Sequence, residues 1–156
     1  MVKFGYVSII GRPNAGKSTL LNSFVGQKVS IISSKPQTTR NNILGIANGD
    51  NYQIVFVDTP GIHAAKNGLD KFMMKSVRTA TSDVDMIVYV LDSTKPTKED
   101  EFEYIKNLKE KTDKLIVAVN KTDRSGFEKV YPLLDKLTRL GVCDEIVPIS
   151  ALSGNN

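Results

Sequence analysis

The chain alternates short, unbroken apolar runs with longer segments in which apolar residues recur every three or four positions. The runs Tyr6–Ile10, Ile54–Val57, Met86–Leu91, Leu115–Val119 and Ile146–Ile149 are too continuous for strands with one wet face. They predict parallel strands buried on both sides. Between them, Leu69, Phe72, Met73 and Val77 mark one helical face, Phe102, Ile105 and Leu108 a second, and Val130, Leu133, Leu134, Leu137 and Leu140 a third. That spacing is the helical period. Alternating strands and helices imply an α/β sheet with helices on both faces. One connection departs from the alternation. Asn42–Ala47 and Tyr52–Val57 flank Asn48-Gly49-Asp50-Asn51, whose residue types suit a turn, so these strands are expected to form an antiparallel hairpin. The expected sheet is mixed, with about six strands, one of them reversed. Pro148 cannot donate to a ladder, which places its run at a sheet edge.

Size narrows this to one unit. With 156 residues, 40% of them hydrophobic, residues 1–156 fit a single domain able to bury a substantial core. No apolar run approaches the roughly 18 residues of a membrane span, and the start MVKFGYVSIIGRPNAGK lacks the features of a secretory signal, so a cytoplasmic location is expected. Lys and Arg number 21 against 17 for Asp and Glu, a net charge of +4 that mildly favours polyanionic partners. The lone Cys143 has no internal disulfide partner and no reactive signature around it, so it reads as a packing residue.

The strongest chemistry is GRPNAGKS, Gly11–Ser18, set between the first apolar strand and the helical segment KSTLLNSFVG. It matches the G-x-x-x-x-G-K-[ST] phosphate loop in its required strand-loop-helix context. Glycines allow a tight loop whose amides converge on phosphate oxygens, aided by the positive end of the following helix. Lys17 is then placed for the β- and γ-phosphates and the Ser18 hydroxyl for Mg²⁺. DTPG, Asp58–Gly61, is weak by spacing alone, since DRSG at Asp123–Gly126 fits the same pattern. Position decides: Asp58 closes a buried strand downstream of the phosphate loop, where a carboxylate reaches the Mg²⁺ shell, and Gly61 leaves its N–H open to a γ-phosphate. NKTD, Asn120–Asp123, follows another strand. An Asp123 carboxylate can accept from both the ring N–H and the amino group of guanine, whereas adenine would leave it unpaired. Asn120 would bond loop or base atoms, and the Lys121 stem could cover the ring.

With these motifs and a terminal SAL, Ser150–Leu152, in this order, the chain resembles the translation-factor-like GTPases. GRPNAGKST, KPQTTR and DTPGI make it similar to their TrmE-Era-EngA group, and within it to the Era branch. The resemblance implies a P-loop, Ras-like G domain over 1–156 with the antiparallel strand at one edge of the sheet; the family continues past SALSGNN into a last helix and an RNA-binding KH domain, which residues 1–156 are expected to lack. It implies GTP/GDP and Mg²⁺ as ligands, with Gly11, Asn14, Ala15, Gly16, Lys17, Ser18, Thr19, Asp58, Gly61, Asn120, Lys121, Asp123, Ser150, Ala151 and Leu152 around the nucleotide. Ser18, Asp58 and Thr39, with Thr38 as the alternative, would serve the metal, Thr39 arriving on the segment Lys28–Asn42. Ala151 would offer its N–H to the guanine carbonyl.

Ile62 follows Gly61 where a water-orienting glutamine would stand, and the resemblance accounts for it, because the group carries a hydrophobic residue there. It assigns charge stabilisation instead to Asn14, as a K⁺ ligand beside the phosphates, so that Asn14, Lys17, Thr39 and Gly61 form the expected catalytic set. His63, the only histidine, reads as a surface residue. The implied function is a slow GTP-hydrolysing switch acting with ribosomal RNA or a small-subunit assembly intermediate, with peripheral membrane contact as a further partner. A nucleotide-dependent docking module, in which hydrolysis is incidental, is the alternative. A P-loop kinase is disfavoured by NKTD.

Overall fold

The computed structural model describes residues 1–26, 43–57 and 84–156. Its strands are β1 (Lys3–Gly11), β2 (Ile43–Gly49), β3 (Tyr52–Val57), β4 (Met86–Asp92), β5 (Leu115–Asn120) and β6 (Glu145–Pro148). Its helices are α1 (Lys17–Val25), α2 (Glu99–Lys109), α3 (Thr122–Ser125) and α4 (Phe127–Leu140). The strands form one six-stranded sheet in the order β2-β3-β1-β4-β5-β6. All neighbours are parallel except β2 and β3, the expected hairpin. β6, carrying Pro148, lies at an edge as the missing N–H requires.

Strand β4 explains why the central runs are unbroken. Ile87, Tyr89 and Leu91 join Phe102, Ile105 and Leu108 of α2 and Val130 and Leu137 of α4 in one core layer. Val90, pointing the other way, joins Leu20 of α1 with Val7, Ile9 and Phe56. Each central strand therefore needs apolar residues at successive positions.

Three details differ from the sequence reading. The ladder runs through Asn48 and Gly49, leaving Asp50 and Asn51 as the turn. A Cβ on Gly49 would meet the Tyr52 ring at 2.2 Å, and Gln53 Nε2 donates to Asn48 Oδ1 at 2.8 Å, so both turn-type residues serve the strand pairing. Leu140, expected on the buried face of α4, is 47% exposed: it is the last residue of the helix before the Gly141 cap, while Leu137 one turn earlier is fully buried. The short helix α3 has too few residues for a periodic signal. The helical face from Leu69 to Val77 and the segments Lys28–Asn42 and Asp58–Gly68 lie outside the described residues.

The chain goes from β1 through α1 to β2 on one side, and from the adjacent β4 through α2 to β5 on the other, so the connections after these two neighbours diverge. A crevice at the carboxyl ends of the strands is the expected ligand position in such a sheet. Gly11, Asp92, Asn120 and Pro148 end the parallel strands β1, β4, β5 and β6 there.

Candidate functional site

The turn from β1 into α1 is shaped by backbone demands. A Cβ on Gly11 would sit 2.5 Å from the Val90 carbonyl, so no larger residue fits where β1 passes β4. Asn14 has φ 63°, a left-handed conformation that asparagine tolerates better than most residues, and Gly16 has φ 105°. Gly16 is the N-cap of α1 and offers no side chain to the free amides of the first turn. Those amides and the positive helix end therefore remain open to an anion. Lys17 Nζ donates to the carbonyls of Gly11 at 2.7 Å and Arg12 at 2.8 Å, poised over the loop. Burial lowers the Lys17 pKa from its ordinary value. Ser18 and Thr19 are exposed on the same turn.

A second loop is bolted onto this one from β5. Asn120 is 2% exposed; its Nδ2 donates to Ala15 O at 2.9 Å and its Oδ1 accepts from Ala151 N at 3.0 Å. One amide thus ties the phosphate loop to the turn after β6. Lys121, itself left-handed at φ 66°, donates through Nζ to Asn14 O at 2.6 Å and Asp92 Oδ2 at 2.7 Å. Asp92 Oδ1 in turn accepts from Thr94 N and Oγ1. Burial alone would raise the Asp92 pKa, but the hydrogen bonds from Lys121 and Thr94 outweigh it and hold the carboxyl below the ordinary aspartate value. Asp123 Oδ1 accepts from Ser150 Oγ at 2.8 Å, which orients the carboxylate and leaves lone pairs on both oxygens for a ligand. The result is a cleft of about 170 Å³ lined by Gly16, Thr19, Asn120, Lys121, Asp123, Arg124 and Leu152. Larger grooves among the described residues are not lined by the phosphate loop, so volume does not choose the site.

The structure brings together Gly11, Asn14, Ala15, Gly16, Lys17, Ser18, Thr19, Asn120, Lys121, Asp123, Ser150, Ala151 and Leu152 at one end of the sheet. Thr39, its alternative Thr38, Asp58 and Gly61, with Ile62 and His63, lie outside the described residues. Of the expected metal set only Ser18 is described, and its neutral hydroxyl at the head of α1 suits a hard cation. Among the described residues no cluster of three or more His, Cys, Asp or Glu could hold a metal. Sequence reasoning missed Asp92 and Arg124. A lone acid closing the run MIVYVL was the available sign for Asp92. Cys143 is half-buried beside the core, and burial raises its thiol pKa. No helix among the described residues is long and apolar enough to cross a membrane.

A phosphate loop at the switch point of a mixed sheet, joined to an NKTD loop and a SAL turn, defines a P-loop G domain. The chain belongs to the 50S ribosome-binding GTPase family, whose pattern it matches over residues 6–121. Among curated proteins it is similar to GTPase Era of Clostridium botulinum, strain Hall, with 48% identity over 157 residues, covering 100% of this chain and 53% of that protein. Among solved structures it is similar to an Era variant from Aquifex aeolicus bound to GDP·AlF4⁻, with TM-score 0.74 and 39% identity, covering 99% of this chain and 54% of that one. A structure of Era with MgGDPNP and nucleotides 1506–1542 of 16S ribosomal RNA gives TM-score 0.72 and 40% identity, covering 100% and 54%. The chain spans about half the length of the curated relatives it matches.

Proposed function

We propose that this chain binds GTP and GDP and, with Mg²⁺, hydrolyses GTP slowly as a molecular switch in small ribosomal subunit assembly in the cytoplasm. The observation that carries the reading is the cleft joining Gly16, Asn120, Asp123 and Leu152, which sets the Asp123 carboxylate beside the phosphate loop. Asp123 reads the base and Asn120 holds its loop to the phosphate side. Lys17 leaves the loop carbonyls for the β- and γ-phosphates, and Ser18, with Thr39 and Asp58, serves the Mg²⁺. That cation neutralises charge on the phosphates when bound. Gly61 supplies an N–H to the γ-phosphate.

Asn14 takes the place of the missing glutamine by ligating K⁺. Its main chain is held by Lys121, which supports the loop geometry such a ligand needs. Without an arginine finger or an activating partner, turnover is on the order of 10⁻⁴ to 10⁻² per second, a timer's rate. Ribosomal RNA as partner rests on the related Era captured with 16S ribosomal RNA and on the net charge of +4. Peripheral membrane contact rests on the resemblance alone, and sedimentation with anionic vesicles tests it. Phosphate release from GTP without an acceptor, measured in matched KCl and NaCl for wild type and Asn14→Ala, tests the hydrolytic reading. Release in KCl that Asn14→Ala abolishes supports it. Equal rates in both salts remove potassium, and no release in either removes hydrolysis.

A further inference from the structure

Arg12 is the phosphate-loop side chain that the nucleotide reading leaves without work. Its guanidinium is engaged by the first turn of α2: Nη2 donates to Asp100 Oδ1 at 3.2 Å, and Nε lies 3.1 Å from Glu101 Oε2. Glu101 is only 5% exposed, an unusual place for an acid. Its other oxygen accepts from the hydroxyl of Tyr89, a β4 residue 1% exposed, at 2.8 Å. Burial pushes the Glu101 carboxyl above its usual range, against the opposing pull of Tyr89 and Arg12. Desolvation offsets most of what a buried ion pair gains, so such a pair is a weak source of stability. What it does supply is a fixed position. The backbone carbonyl of Arg12 accepts the Lys17 ammonium, and Ala15 N donates to the same carbonyl at 3.2 Å. The side chain of Arg12 is therefore pinned to α2, and through Glu101 to Tyr89 of β4, while its main chain organises the loop.

We propose that Arg12 is a positioning residue: Glu101, braced by Tyr89, and Asp100 hold its side chain so that the loop carbonyl carrying Lys17 is fixed before a nucleoside polyphosphate arrives. α2 thereby becomes part of the phosphate site without touching the ligand, and Arg12 is kept from acting as a charge donor to the phosphates. The proposal rests on the reading of the loop as a nucleotide phosphate site.

The test compares wild type, Arg12→Ala, Arg12→Lys, Glu101→Gln and the Arg12→Ala/Glu101→Gln pair. GDP affinity is measured by calorimetry and guanosine affinity by NMR titration, at a temperature where circular dichroism finds every variant folded. Arg12→Ala and Glu101→Gln each weaken GDP by about tenfold or more, as expected for a lost charged contact. The pair is no weaker than the worse single, because both act through one contact. Arg12→Lys recovers part of the loss, and guanosine, which has no phosphate, binds all variants alike. Folded variants with wild-type GDP affinity would overturn the proposal, leaving the pair a structural one. So would equal losses for guanosine and GDP. Wild type that binds no GDP removes the nucleotide reading and the proposal with it, an outcome distinct from variants that bind as well as wild type.

Discussion

Replacing Gly16 by alanine strikes the site through backbone and contact together. Gly16 sits at φ 105° and ψ 21°, a left-handed conformation that costs a residue with a side chain about 1–2 kcal/mol. The new Cβ would lie 2.2 Å from Asn120 Nδ2, which no real contact allows, so one of the two must shift. Asn120 cannot shift cheaply. Its Nδ2 is bonded to Ala15 O at 2.9 Å, its Oδ1 to Ala151 N at 3.0 Å, and the residue is 2% exposed. Leaving a buried polar group unpaired costs about 1–3 kcal/mol. Gly16→Ala should therefore destabilise the chain by about 2–5 kcal/mol in urea unfolding, a large part of the roughly 5–15 kcal/mol typical of a domain. It should also weaken GDP at temperatures where it is still folded, since the same side chain joins the phosphate loop to the SAL turn. In an Asn120→Ala background the obstruction is gone, so Gly16→Ala should cost less than it does in wild type, leaving chiefly the backbone component. A Gly16→Ala variant within about 0.5 kcal/mol of wild type, with unchanged GDP affinity, would refute the reasoning.

Three further outcomes follow from the same geometry. The depressed Asp92 pKa means that its carboxylate adds stability above the ordinary aspartate value near 3.8, and that this stability is lost as pH falls through the lower folded value. Asp92→Asn should accordingly flatten that part of the acid unfolding curve, and an unchanged slope would show that the Lys121 contact does not bind charge to fold. Lys121→Met should lower GDP affinity by releasing the Asn14 carbonyl, read by calorimetry beside a thermal melt. Leu108, fully buried between α2 and the sheet, should cost about 2–5 kcal/mol on truncation to alanine, while GDP affinity of the folded fraction stays at wild type.

The parts of the fold set by burial were legible in the sequence. β4 and β5 are unbroken apolar runs because one face packs on α2 and α4 and the other carries the layer of Val90 and Ala118, with Val88 and Ile116 lining a groove beside β6, and Pro148 marked the edge through its missing donor. The hairpin was legible as a hairpin and not in its extent: Asn48 and Gly49 look like turn residues, yet one bonds Gln53 across the ladder and the other makes room for Tyr52. The phosphate loop and NKTD were legible because their chemistry is local. The supports were not. Asp92 meets Lys121, and Arg12 meets Glu101, only because strand order brings distant segments to one end of the sheet. No spacing along the chain encodes those pairs.

Base selection tests the central claim most directly. Calorimetric titration of the chain with GDP, ADP and xanthosine diphosphate should give binding to GDP and none to ADP. Asp123→Asn should exchange that preference for xanthosine diphosphate, since an amide can donate to the xanthine carbonyl while its oxygen still accepts from Ser150. Equal affinity for GDP and ADP, or an Asp123→Asn variant that keeps wild-type affinity for GDP, would contradict the account.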